Sequence, residues 1–360
     1  MHLAIVICSN GLGHFKRATG LLQALAEVQS GLKVDVVCEA WQLERTRDWE
    51  KGHIYRDPRV TVHTGYLTPG PQWENDPQAY RDGRLLSWED KLARQSFLEK
   101  ADLVISDNLA GILRYRPDAI LMGSFLWSDI LGEAYGSFPE VGAFVEREQE
   151  LLERFRPPML CIGEMAMPAV RQFTRAIEMP WFGQDARPHQ ERRYRRLALL
   201  AGATQAAARV QERLLHRLLA ETDWEIALPK RAIDQWLPQR SPDRVIAFDF
   251  SLAAFARCTA AVCRPGIGTL TDCIVANTPI LAFYEGGNPE MAHNARQLET
   301  LGIGIDLGGE ETLAKLPEFL ETELQPERVA EMEESLRARP TDGLQRAARW
   351  IQGRFAAHEQ

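Results

Sequence analysis

At 360 residues the chain is too long for one average domain and comfortable for two. Its 45% hydrophobic and 26% charged residues are those of a globular protein able to bury substantial cores. The formal charge of −8 argues against duplex nucleic acid as the main partner, because phosphate binding normally shows as a basic face; a small phosphorylated ligand needs only local donors.

The first residues, Met1 to Val6, enter an apolar strand at once, with no basic leader or cleavage site. No stretch approaches the roughly 18 apolar residues needed to span a bilayer. A soluble, cytoplasmic protein is expected. The run Leu3 to Cys8 ends in Ser9-Asn10-Gly11-Leu12-Gly13, and a helix follows with Ala18, Leu21, Leu22, Leu25 and Val28 on one face. Val34 to Cys38, Val60 to His63, Leu103 to Ser106 and Ala119 to Met122 are each short enough for a strand buried on both sides. Continuous apolar runs separated by helices are what a parallel, doubly wound sheet requires.

The pattern restarts after Glu178-Met179-Pro180-Trp181-Phe182-Gly183 and the polar run Gln184 to Arg196. Leu197 to Ala201 then reads as a new first strand, followed by Trp224 to Leu228, Val245 to Phe248, Ala260 to Cys263 and Ile280 to Phe283. Two βα halves with no short-period repeat imply two domains. The last segment places Leu344, Ala348, Ile351 and Phe355 on one face of an amphipathic helix. Six cysteines (Cys8, Cys38, Cys161, Cys258, Cys263, Cys273) are scattered without a C-x-x-C pair, so buried thiols are expected in place of a disulfide framework or zinc knuckle.

The strongest chemical signal is Cys263-Arg264-Pro265-Gly266-Ile267-Gly268-Thr269-Leu270-Thr271-Asp272, a strand running through a glycine-bearing turn into a helix. Gly266 and Gly268 let backbone approach a ligand, and the helix's first N–H groups face an anion. Asp272 can accept bonds from vicinal hydroxyls such as those of a ribose; equally, it can simply favour the helix dipole. A second glycine-rich loop, Glu285 to Ala295, carries Glu290 and Asn294, and a third, Ala201-Gly202-Ala203-Thr204, closes the first strand of the same half. Loops at the carboxyl ends of parallel strands are where such folds bind ligands, and two of them in succession suit a sugar diphosphate. In the first half, Gly11-Leu12-Gly13-His14-Phe15-Lys16-Arg17 lacks the third glycine of a dinucleotide fingerprint at Lys16, and only Glu39 speaks for one. There remains a histidine at a helix N-terminus, where an imidazole can serve as a base or be merely structural. Asp107, ending the Leu103 strand, should open on the same edge as His14, unless it is a helix cap or turn acid. Trp41, Trp73, Trp88 and Trp127 are candidates for stacking on an acceptor or for the core. The cluster Arg192 to Arg196 reads as a solvated surface, with peripheral membrane contact possible but not indicated. The chain contains no Asp-x-Asp, His-Glu-x-x-His, Gly-x-Ser-x-Gly or P-loop.

The motif from Cys263 to Asp272, followed by Glu290-x-x-x-Asn294-Ala295, resembles the donor domain of GT-B glycosyltransferases over most of residues 197 to 306. It is similar to the lipid-linked N-acetylglucosaminyltransferase of peptidoglycan synthesis and to UDP-glucuronosyltransferase-like proteins. The resemblance implies an α/β protein of two Rossmann-like, doubly wound domains facing across a cleft. Residues 1–170 would form the acceptor side and 184–341 the donor domain, with 342–360 a helix packing back on the first. Asp272 stands where the family's ribose-binding Glu does, and Glu290 and Met291 where relatives carry an acid followed by Gln that contact donor hydroxyls. Backbone at Phe248 and Asp249 takes the nucleobase edge. Gly13, Gly202, Thr204, Arg264, Gly266, Gly268, Thr269 and Asn294 complete the donor contacts. The implied reaction is a metal-independent, inverting transfer from a nucleoside-diphosphate sugar, UDP before TDP, to an acceptor hydroxyl. His14 would be the base and Asp107 its orienting partner, and no cofactor would be needed. A nucleotide-sugar hydrolase of the same fold, a non-catalytic nucleotide-sugar binding protein and, less readily, a sugar epimerase remain the alternatives.

Overall fold

The structure is a computed structural model that describes the chain apart from residues 47–49, 68–72, 74–76, 82, 184–194, 201–204, 238–241, 285–286, 310–312, 314 and 357–360. It forms two compact units, one of Met1–Phe182 with Asp342–Gln360, the other of Gly183–Thr341.

The first unit is built on seven strands: β1 (His2–Ile7), β2 (Lys33–Val37), β3 (Val60–His63), β4 (Leu103–Asp107), β5 (Ile120–Met122), β6 (Pro158–Ile162) and β7 (Arg175–Met179). They lie in the order β3-β2-β1-β4-β5-β6-β7, and every pairing is parallel. The continuous apolar runs follow from helices covering both faces, so β4 and β6 are buried at every position. The order reverses between β1 and β4, which pair with Ile7 opposite Asp107. Trp73, Trp88 and Trp127 lie in this unit's core, whereas Trp41 is exposed. The Gly343–Ala356 helix returns to pack along the Leu12–Val28 helix, where a Cβ at Gly20 would come within 2.6 Å of Leu344 Cδ1. Gln352 Nε2 donates to the Val28 carbonyl at 2.6 Å.

The second unit holds β8 (Arg196–Leu200), β9 (Glu225–Pro229), β10 (Val245–Phe248), β11 (Ala260–Cys263), β12 (Ile280–Ala282) and β13 (Gly304–Asp306). Their order is β10-β9-β8-β11-β12-β13, again all parallel, with the reversal between β8 and β11. Two parallel-sheet α/β bodies are therefore present. β6, β7 and β13 are strands beyond those expected from the sequence. β7 is a partly exposed edge strand with an interior Glu178, and β13 is three residues long, too short for any periodicity to register. At the described end of the arginine cluster, Arg195 pairs with Asp223 and Glu321, and Arg196 with Glu225. All six cysteines are buried outside any disulfide, and burial pushes the Cys8, Cys38 and Cys161 thiols up to about 12. Among the described residues no helix is long and apolar enough to cross a membrane.

Candidate active site

In an open parallel sheet, ligands bind outside the carboxyl ends of the strands where strand order reverses, because the two flanking loops diverge there. Both units place candidate residues at that point. In the first, β1 leads through Gly11, at φ 91° and ψ 178°, into the Leu12–Val28 helix. That left-handed backbone favours glycine. Buried Gln42 braces the turn by donating to the carbonyls of Cys8 and Gly11, both at 3.0 Å. Gly13 is exposed in the first helical turn, and His14 follows it.

His14 Nδ1 lies 2.6 Å from Asp107 Oδ1, so the residue that ends β4 meets the ring that follows β1. Asp107 is fully buried, and Arg17, one turn beyond His14, bonds it twice: Nη2 to Oδ1 at 2.6 Å and Nε to Oδ2 at 3.1 Å. Burial alone would raise the Asp107 carboxyl, but Arg17 and His14 together outweigh it and hold the group below the usual carboxylate range. An ionised Asp107 accepts from Nδ1–H, which makes Nε2 the ring's proton acceptor. Arg17 is in the motif read from the sequence, but its share in Asp107 was not anticipated. The signal was available, since residues three apart on a helix share a face.

Beyond β4 the chain turns at Asn108, a non-glycine residue at φ 61°. Ser106 Oγ donates to the Leu109 carbonyl at 2.8 Å, and Asn108 N to the Met122 carbonyl at 2.8 Å, fixing the turn against β5. Phe125, just past β5, meets the His14 ring edge-on at 6.4 Å. Glu39 caps the Ala40–Arg45 helix and accepts from Leu67 N at 3.0 Å, a structural use and not a ribose contact.

In the second unit, β11 opens into Arg264-Pro265-Gly266 beside the end of β8, where Cys263 faces Leu200. Gly202 and Thr204 lie outside the described residues. Gly266 is the N-cap of the Ile267–Val275 helix at φ −74°, and a Cβ there would meet nothing within 4 Å. Neither local conformation nor local packing therefore requires glycine at this position. Among the described residues no side chain caps this helix and no acid sits in its first turn, so the N–H groups of Ile267, Gly268 and Thr269 keep their capacity for an anion. Arg264, Gly268 and Thr269 are partly exposed around that helix start.

The structure adds detail at three of these positions. Asp272 is 9% exposed, more enclosed than a carboxylate at an open mouth. Asn294, 1% exposed, spends its Nδ2 on the Pro265 carbonyl at 2.8 Å, tying the Pro289–Thr300 helix to the loop before Gly266. Met291 is buried, its N–H bound to the N-cap Asn288 Oδ1 at 3.2 Å. Glu290 is partly exposed in the first turn of that helix. Phe248 is buried between Phe250 and Phe255, so only its backbone is available at the edge. Phe250 was not singled out from the sequence. It is 52% exposed at φ 60°, an uncommon backbone for an aromatic residue, and its ring meets Phe248 edge-on at 5.2 Å.

No protein-family model matches the sequence, and a search of curated proteins finds no match. Solved structures do match along the whole chain. The glycotransferase of kitacinnamycin is 17% identical, with 98% of each chain covered and a TM-score of 0.63. A glycosyltransferase from Streptomyces sp., complexed with thymidine diphosphate, is 16% identical over 98% of this chain and 99% of that one, with a TM-score of 0.59. The MurG protein of Acinetobacter baumannii is 13% identical over the same shares, also at 0.59. The fold is GT-B. The resemblance read from the sequence thus holds at the level of the fold.

Proposed function

We propose that the protein is a glycosyltransferase that moves a sugar from a nucleoside diphosphate to an acceptor hydroxyl. The observation that carries this reading is the His14–Asp107 bond at the strand-order reversal of the first unit, in a chain with the GT-B fold. His14 Nε2 would take the acceptor's proton as the new glycosidic bond forms, with Asp107 holding the ring. The departing diphosphate gains charge, which the N–H groups of Ile267, Gly268 and Thr269 would offset. Attack on the face opposite the leaving group would invert the anomeric centre. Asp272 would accept from the ribose hydroxyls, and the exposed Phe250 ring offers a face to the base. UDP and TDP are the nucleotides to try first, the second because a similar structure holds it.

The test is direct. Nucleoside diphosphates and their sugars should raise the melting temperature, since a ligand at about 100 times its Kd adds about 2.7 kcal/mol. Sugar release is then measured with and without hydroxyl acceptors. Release that is complete without any acceptor would assign a hydrolase of the same fold, and binding without turnover a binding protein.

Two variants probe the donor side. Asp272→Ala should weaken nucleoside diphosphate binding by about 1.5–3 kcal/mol, through loss of charge-assisted bonds. Because Asp272 is largely enclosed, Asp272→Asn is the control that keeps its volume. Calorimetry showing unchanged affinity in both removes the residue from the site. Phe250→Gly suits the positive φ and so should not lower the melting temperature, yet it should cost about 1 kcal/mol of nucleotide affinity. A variant that binds as tightly as the parent assigns the ring elsewhere.

A further inference from the structure

One buried carboxylate is shared by two basic side chains in the first unit. Asp107 Oδ1 lies 2.6 Å from His14 Nδ1 and 2.6 Å from Arg17 Nη2, while its Oδ2 lies 3.1 Å from Arg17 Nε. A ring nitrogen and a carboxylate oxygen this close need a proton between them, so Nδ1 carries the ring proton and Nε2 is bare. Arg17 Nη2 also stands 3.2 Å from that Nδ1, which sets the guanidinium charge against the ring itself. The side chains of Arg17 and His14 are 9% and 11% exposed and that of Asp107 not at all, so water screens these charges little. From the end of β1 the Cys8 thiol also feels Asp107 and Arg17, but burial pushes it up to about 12 and it brings no charge. Phe125, from beyond β5, is apolar.

The balance of charge decides the state of the ring. With Arg17 positive and Asp107 negative, a neutral His14 leaves the enclosure neutral, and an imidazolium would give it a net positive charge. Without Arg17 the balance reverses: ionised Asp107 beside neutral His14 is a buried net negative charge, which one proton cancels. Wherever that proton settles, Nε2 is lost. On the ring it makes an imidazolium; on Asp107 it points at Nδ1 and drives the ring's own proton to Nε2. We propose that Arg17 is a positioning residue for the base, keeping the lone pair of His14 Nε2 free at neutral pH by cancelling the charge of Asp107. This rests on the reading of His14 as the acceptor-side base, and it makes the guanidinium, together with the carboxylate, set the pH range in which that base works.

The ring is read directly, so that a failure of the transferase reading stays separate. Imidazole 15N NMR over about pH 5–9 follows Nε2, with His14 identified by the signals lost in His14→Ala. In Arg17→Gln, which keeps a donor for Asp107 and no charge, Nε2 should take its proton about 1–3 pH units higher than in the parent. Arg17→Lys, which keeps the charge and loses the two-pronged geometry, should titrate close to the parent. Arg17→Gln with Asp107→Asn removes both charges and should bring the titration back down to the parent's, and it serves in place of Arg17→Gln if that variant does not fold. With an acceptor present, the acid limb of kcat/KM should move with the ring. An unchanged titration in Arg17→Gln overturns the proposal. So does an upward shift in Arg17→Lys as large as that in Arg17→Gln, or one that the doubly substituted protein shows, since either would make the shape of the guanidinium matter and not its charge. The transferase reading fails on a different result, His14→Ala retaining full turnover, which leaves the ring titration as it stands.

Discussion

His14→Ala should lower turnover about 10²–10⁴-fold, the contribution of a positioned general base, while nucleotide affinity stays at the parent value. The substitution is clean because Asp107 does not lose its charge partner: Arg17 still holds both carboxylate oxygens. Steady-state rates and calorimetry on the same preparation check it, and a variant of full activity would falsify the base assignment. Asp107→Asn is less clean than a sequence reading suggests. It should slow turnover by weakening the hold on the ring, and it also removes the counter-charge of Arg17, whose side chain is 9% exposed. Breaking a buried pair costs about 3–5 kcal/mol, so that variant should melt earlier as well as react more slowly.

The second large effect is on stability. Glu148, in the Pro139–Phe155 helix, is buried and accepts from Ser128 N at 2.7 Å, in the first turn of the Trp127–Tyr135 helix. Burial pushes its carboxyl up to about 7; the Ser128 bonds oppose this and the nearby Glu89 adds to it. A carboxyl raised on folding contributes stability that is fully present below its unfolded value of 4.5 and is lost as pH rises through 7. The gap corresponds to about 3 kcal/mol. Glu148→Gln keeps an oxygen for Ser128 and cannot ionise. Its stability relative to the parent should therefore climb between pH 4.5 and 7 and level off above, with a melting-temperature gain of several degrees at pH 8. Thermal denaturation across pH 4.5–8 decides the matter; a difference that ignores pH would place the ionised carboxylate in a better-solvated position.

How far the residues foretold these features depends on what kind of information each required. Parallel strands announce themselves as unbroken apolar runs, so β1, β4, β8 and β11 were legible, and with them the sheet edge that carries His14 and Asp107 in one unit and the one that carries Gly266 in the other. What residue patterns do not carry is how an individual polar side chain is spent. Asn294, read as a donor contact, spends its Nδ2 on a loop carbonyl, and Glu39, the one residue that spoke for a dinucleotide fingerprint, caps a helix. Asp107 was expected to hold His14, but its second partner, Arg17, was not anticipated although it lies one helical turn from His14. Asn108 and Phe250 sit at positive φ, a state that asparagine tolerates and phenylalanine does not signal. Pro158 to Ile162 went unread as a strand although its apolar run carried the signal, whereas its neighbour β7 needs the sheet edge to explain its mixed pattern.

The route of the chain has a consequence for biosynthesis. The helix that begins beside His14 buries part of its apolar surface against Gly343–Ala356, residues made more than 300 positions later. The unit formed by Gly183–Thr341 is contiguous and is synthesised in full before those residues. On a ribosome working from the N-terminus, the second unit can therefore close first, while the Leu12–Val28 helix waits with its Gly20 groove uncovered. The unit that begins first is the one that finishes last, and ribosomes stalled before Gly343 would release a chain whose second unit is complete and whose His14 helix still lacks its partner.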